Sequence, residues 1–407
     1  MYQPHRMKFG IFMAPFHRIG ENPTLAFKRD LKLIDLLDDL GYDEAWIGEH
    51  HSFARELIAD PVVFIAAAAE RTRRIKLGTG VLSLPYHHPF MVADRMLQLD
   101  HMTQGRAMLG VGPGALTSDA YMMGIEPTTP RQRMAESLDA IMALLRNEGP
   151  VSMQTDWFTL REARLQLASY SYPHLPVSVA ATFTPAGPAA AGKHGAGLLS
   201  VAGADSEAFE RTWSWVEEAS AESGRPVDRG EWRVVVPIHI AESREEAFSD
   251  VAEGYRQRAY FGDRLNHDLP AGNPLLGAIG GTSLEEQAEH GGAIIGTPDD
   301  AIAQIGVLQE RSGGLGGILG LAHEWTSTDK LNRSFELFAR YVAPRFQGQM
   351  ETIESNRNWI EGNLDMVFKN HANAWLKAFK DAGKELPESV KQGLAAMAKA
   401  REQVAKS

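Results

Sequence analysis

Ala45-Trp46-Ile47-Gly48-Glu49-His50-His51 is a short apolar run closed by an acid and two histidines, and Ile75-Lys76-Leu77-Gly78-Thr79-Gly80-Val81-Leu82 follows about one strand-helix unit later. This order puts the histidines at the carboxyl end of a predicted strand. In a barrel of parallel strands alternating with helices, that rim is where sites are built. His50 and His51 are therefore read as chemistry before packing.

Working outward, the same pattern recurs along the chain. Lys8-Phe9-Gly10-Ile11-Phe12-Met13 reads as the first strand. Phe27, Leu31, Ile34 and Leu37 repeat at three and four residues, so a helix is predicted over 25–40, stopped by Gly41. Further strands are predicted at 44–48, 75–82, 107–112, 177–181, 196–201, 233–240 and 315–321. Most are bracketed by Gly or Pro and separated by helix-length segments, which predicts an α/β fold, a (β/α)8 TIM barrel. An open doubly wound sheet is the alternative.

Two segments exceed a plain barrel. Residues 241–298 form a long insertion before the eighth strand, rich in Pro, Gly and Leu over 266–281, and a loop of that size is expected to act as a lid. Residues 347–407 form a C-terminal extension with helical spacing at Val390, Leu394 and Met397 and a helix start at Leu386-Pro387-Glu388-Ser389. The expected division is 1–346 for the barrel and 347–407 for the extension. Trp359, Trp375 and Phe379 argue that the extension wraps the barrel or a second subunit.

The chain of 407 residues is 44% hydrophobic and 23% charged, enough for a large globular core. A net charge of −11 disfavours nucleic acid or an anionic membrane as the main partner. The absence of cysteine excludes disulfides, thiolate metal sites and cysteine nucleophiles, and fits a reducing cytosol. With no signal-like start and no membrane-length apolar run, a cytoplasmic location is expected. No His-Glu-x-x-His or Gly-x-Ser-x-Gly occurs, so neither a metal site nor that type of serine hydrolase is expected.

The stretches 7–12, Trp46-Ile47-Gly48-Glu49-His50-His51, 77–85, His88-Pro89-Phe90, 100–106, 110–116, Ser118-Asp119-Ala120 and Ile295-Gly296-Thr297-Pro298, taken together and in this order, resemble the bacterial-luciferase-like flavin monooxygenases. The likeness is to the group with limonene and diketocamphane monooxygenases. It implies a two-component enzyme in which a separate NAD(P)H:flavin reductase supplies reduced FMN. Oxygen would add to the flavin as a 4a-hydroperoxide and then reach a small hydrophobic substrate, with the protein orienting the cofactor and excluding water. A homodimer is implied by the same analogy.

The resemblance also implies roles. His50 corresponds to the family's catalytic rim histidine, suited to donating to a peroxide oxygen and exchanging a proton near neutral pH. Glu49 would orient it. Thr79 and Gly80 fall where the family has a β-bulge, sometimes with a non-proline cis peptide, behind the flavin ring. Gly112, Gly114 and Asp119 follow the fourth strand and would border the flavin. Pro113 stands where luciferase proper has an arginine, which argues for the limonene-type group. Thr182, Thr184 and Pro185 open a predicted helix whose free N–H groups would hold the phosphate. Phe12, His51 and Tyr121 are the candidate substrate contacts. Met13, Phe16, Met122 and Met123 lie nearby as apolar lining or as core. Two other readings share the barrel: a deazaflavin-dependent dehydrogenase and a flavin-binding protein without catalysis.

Overall fold

The computed structural model describes residues 1–181, 184–201, 206–267 and 283–404. The chain divides into two compact units, Met1–Gln347 and Gly348–Ser407. In the first, eight strands alternate with helices: β1 (Lys8–Phe16), β2 (Glu44–Ile47), β3 (Lys76–Thr79), β4 (Ala107–Gly112), β5 (Val177–Ala180), β6 (Gly197–Val201), β7 (Trp232–Ile240) and β8 (Gly317–His323). Each pairs in parallel with the next, and β8 pairs back onto β1. The barrel is closed, as the sequence predicts, and the open-sheet alternative is set aside.

Strand alternation sorts the side chains into two cores. On β1, Phe9 faces outward and packs edge-on against Phe338 at 5.1 Å, whereas Phe12 faces the barrel interior. Trp46 fills that interior. A Cβ at Gly78 would lie 2.6 Å from Trp46 Cε3, and one at Gly110 would lie 3.0 Å from Trp46 Cζ3, so the indole is possible only because β3 and β4 carry glycine there. With Met108, Leu199, Val235 and Leu319 it makes a sealed layer. Phe12, Val81, Val201 and Leu321 lie against that layer and remain partly exposed.

The amino-terminal end of the barrel is closed by charge. Arg233 Nε and Nη2 donate to both oxygens of Glu44 at 2.9 and 2.8 Å, both side chains being about 2% exposed. Trp46 Nε1 adds a third donor to Glu44 at 3.0 Å, and Arg233 also reaches Gly230 O and Glu231. Burial alone would raise the Glu44 pKa, but the guanidinium outweighs it and holds the carboxyl at about 2.

Three segments add to the plain barrel. The stretch 241–298 is not one long loop. It holds helix Arg244–His267, helix Leu284–Glu289 and strand Ile294–Gly296, which pairs in parallel with the end of β7. Three apolar residues after Gly291-Gly292 are too short a run to announce a strand. Residues 268–282 of the expected lid lie outside the described residues. Before β5 there is an antiparallel hairpin, Val151–Gln154 with Thr159–Ala163, whose turn carries Trp157 and buried Phe158. In the second unit, helices Glu351–Gly362, Leu364–Asp381 and Glu388–Val404 follow one another. Trp359 and Trp375 are 54% and 42% exposed, and Phe379 is half-buried.

Candidate active site

The rim at the carboxyl ends of β2, β3 and β4 is held together by two buried acids. Glu49, 3% exposed, accepts from His87 Nε2 at 2.6 Å, His51 Nε2 at 3.2 Å and the Ser83 amide at 2.5 Å. Asp119, equally buried, accepts from the His51 amide at 3.2 Å and from the Ser52 hydroxyl, which also meets Ser118. The loop after β2 is thereby tied to the segments after β3 and β4. Rim geometry is set by carboxylates rather than by apolar packing.

His50 sits within this frame. Its Nε2 lies 3.0 Å from Glu56 Oε2, and Asp119 Oδ2 is 3.6 Å from Nδ1. That second distance exceeds a hydrogen bond, and buried Nδ1 has no hydrogen-bond partner among the described residues. Burial opposes the imidazolium. Glu56, Asp119 and Glu49 together outweigh burial and raise the His50 pKa above the ordinary histidine value. Burial would likewise raise the Asp119 pKa, but His50, Ser52 and the His51 amide pull it below the usual carboxylate range. A ring set between Glu56 and Asp119, with a raised pKa, favours its protonated form more than a free imidazole does.

The expected bulge is present. Gly78 pairs with Met108 and Leu82 with Val111, so four steps on one side oppose three on the other. The Gly80–Val81 peptide within it is cis. A Cβ at Gly80 would lie 2.8 Å from Trp46 Cβ and 3.2 Å from Phe12 Cε2, so the glycine is required by the barrel interior itself. Thr79 is fully buried, its hydroxyl donating to Gly110 O at 2.7 Å and accepting from Gly110 N at 2.9 Å. It stitches β3 to β4. Gly112 is pressed against Val81, and Gly114, with φ +85°, lies under Tyr86. Tyr86 packs edge-on to His51 at 6.0 Å, and burial, with Asp119 and Glu49 nearby, pushes its pKa up to about 12.

Of the candidate substrate contacts, Phe12 lines the open interior layer and His51 lies at the rim, whereas Tyr121 is 80% exposed on the short helix Thr117–Met122. Thr184 and Pro185 are exposed at the start of helix Ala186–His194, and Thr182 lies outside the described residues. Met13 is fully buried and faces away from the mouth. Sequence reading passed over His87, Tyr86 and Glu56. The signal for the first lies in the pair His87-His88 just before Pro89, at the start of the helix after β3. No cluster of metal-ligating groups occurs among the described residues, and no helix among them is long and apolar enough to cross a membrane.

The profile of the family described as Luciferase-like monooxygenase matches residues 7–314. The chain is 43% identical over 362 residues to 4-hydroxyprotoasukamycin monooxygenase of Streptomyces nodosus subsp. asukaensis, covering 87% of this chain and 96% of that protein. It is 44% identical over 364 residues to limonene 1,2-monooxygenase of Rhodococcus erythropolis, covering 87% and 92%. Among solved structures it resembles the oxygenating constituent of 3,6-diketocamphane monooxygenase from Pseudomonas putida, a type II Baeyer-Villiger monooxygenase in complex with FMN. That match has 26% identity and a TM-score of 0.70, over 83% of this chain and 98% of the other.

Proposed function

From the premise that this chain belongs to the luciferase-like monooxygenase family and is a flavin-dependent oxygenase of an organic substrate, we propose that it is the oxygenating component of a two-component enzyme. It takes reduced FMN from a separate NAD(P)H:flavin reductase and acts on a small hydrophobic compound. The relatives named for limonene and diketocamphane, and the description of the latter as an oxygenating constituent, support this reading.

The residues of the mouth fit a flat, half-polar cofactor. Phe12, Val81, Val201 and Leu321 form an apolar floor left partly exposed above a sealed layer, and buried His50 Nδ1 at the rim has no hydrogen-bond partner among the described residues. That nitrogen, 3.6 Å from Asp119 and without a hydrogen bond, at a rim with an open floor, is the observation that carries the proposal, because a buried polar atom lacking a hydrogen bond calls for a ligand or water. When bound, reduced FMN supplies the electrons that activate oxygen. Thr184 and Pro185, at the exposed start of helix Ala186–His194, would hold its phosphate, and the backbone of Gly80, Gly112 and Gly114 would border its ring. The floor excludes water from the ring. Glu49 and Asp119 fix the loop that carries His50, and Glu56 keeps its ring protonated. His50 then holds a proton toward the reacting oxygen, while Phe12 and His51 border the substrate.

The test is turnover with a flavin reductase, NADH and limonene or a bicyclic ketone as probe, measuring oxygenated product against hydrogen peroxide. Wild type is expected to form product. His50→Ala is expected to bind reduced FMN but to divert oxygen to peroxide; full product yield in that variant removes His50 from the mechanism.

A further inference from the structure

The described residues line an open cavity of about 870 Å3 whose lining includes none of His50, Glu49 or Asp119. It lies outside the barrel wall, between the carboxyl ends of β7, β8 and β1 and the helices Pro23–Leu40 and Thr328–Leu337. Its wall is built from outward-facing Met13, Ile238 and Ala322, opposed by Leu331 and Phe335. Leu321 alone is shared with the mouth. This size falls within the range of small-molecule sites, and the wall is apolar, as such sites are.

The charges at its edge do not cancel. Of the acids, Glu21 pairs with Arg29 at 2.5 Å, Glu324 also pairs with Arg29, and Asp30 pairs with His17 at 2.9 Å. Arg18, Lys28 and Lys32 also line the cavity and make no ion pair or side-chain hydrogen bond among the described residues. Lys28 and Lys32 stand one helical turn apart, and Leu25, Arg29 and Leu33 share their face of helix Pro23–Leu40. The lining carries Arg18, Lys28, Arg29 and Lys32 against Glu21, Asp30 and Glu324, and the acids gather on Arg29 and His17, so the positive excess sits at Arg18, Lys28 and Lys32, in a chain of net charge −11.

We propose that this cavity binds an amphipathic organic anion of the medium-chain carboxylate class. The hydrocarbon lies against Ile238, Leu331 and Phe335, and the carboxylate lies at Arg18, Lys28 and Lys32. The site is separate from the flavin mouth, and the proposal stands or falls independently of the cofactor reading.

The experiment is calorimetric titration of the full chain without flavin, using decanoate and then decyltrimethylammonium, a probe with the same tail and the opposite charge. Decanoate is expected to bind one to one. The double variant Lys28→Glu/Lys32→Glu, altered only at exposed side chains, is expected to bind it about tenfold more weakly and to reverse the preference between the two probes. Failure of decanoate to bind, or equal binding by both forms, overturns the proposal. A diazirine-bearing fatty acid locates the ligand. Cross-links within 321–335 support the assignment, and cross-links confined to the His50 loop or to 348–407 refute it.

Discussion

The two ends of the barrel both bury charge, and they do it in opposite ways. At the amino-terminal end Glu44 and Arg233 satisfy each other with two hydrogen bonds, supported by Trp46 and by Gly230 O, and nothing is left over. At the carboxyl end Glu49 and Asp119 are also well bonded, yet the loop they fix carries His50, whose Nδ1 lies 3.6 Å from Asp119 without a hydrogen bond and whose pKa is raised. A satisfied buried pair is a structural plug. An incompletely satisfied one, beside a partly exposed apolar floor, is a place built for something else to complete it.

The difference can be broken most directly on stability. Glu44→Gln leaves buried Arg233 with only half-exposed Glu231 as its counter-charge, so it is expected to cost about 3–5 kcal/mol in urea unfolding. Glu56→Gln at the rim is expected to cost less than about 1 kcal/mol, because its partner His50 can become neutral. Similar losses for the two would erase the contrast.

Next in size is catalysis. His50→Ala is expected to lower product formed per oxygen consumed by about a hundredfold or more while leaving the dissociation constant of reduced FMN within about threefold. Equal coupling in the variant would contradict the role given to the rim.

Two smaller effects sharpen the comparison through pH. Glu44 is held at about 2 against an ordinary 4.5, so its contribution to stability is present above about 4.5 and drains away as pH falls toward 2. Acid unfolding of wild type is expected to steepen in that window, and Glu44→Gln is expected to flatten it. The His50 pKa is raised, so the stability it contributes is present below the ordinary histidine value and is lost as pH rises through the folded value. Asp119→Asn removes one of the charges that raise it, and NMR titration of the ring is expected to move toward lower pH; an unmoved titration means that Glu56 acts alone.

The barrel was legible because each strand announces itself locally. Ala107–Gly112 and Val177–Ala180 are apolar runs with Gly or Pro at their borders, and the position of His50 just past β2 follows from chain order alone. What could not be read depends on distance along the chain or on small size. Glu44 and Arg233 meet across 189 residues, and His87 reaches Glu49 across 38, so no spacing reveals either contact. Strand Ile294–Gly296 exists because the end of β7 offers it a partner, not because its sequence demands it. The Thr79 hydroxyl bonds Gly110 on the next strand, a contact that no local pattern announces, since a hydroxyl on an inner strand bonds whatever backbone lies opposite. Tyr121 sits near the rim in sequence, but a short helix turns it to solvent.

The most direct test of the account is anaerobic titration of the full chain with reduced FMN, run beside Val201→Trp, which fills the open floor, and Glu44→Gln, which alters only the plug. The account predicts saturable one-to-one binding by wild type, retained at Glu44→Gln under conditions where it is folded and lost at Val201→Trp. Reduced FMN that fails to bind wild type, or that binds Val201→Trp equally well, would contradict it.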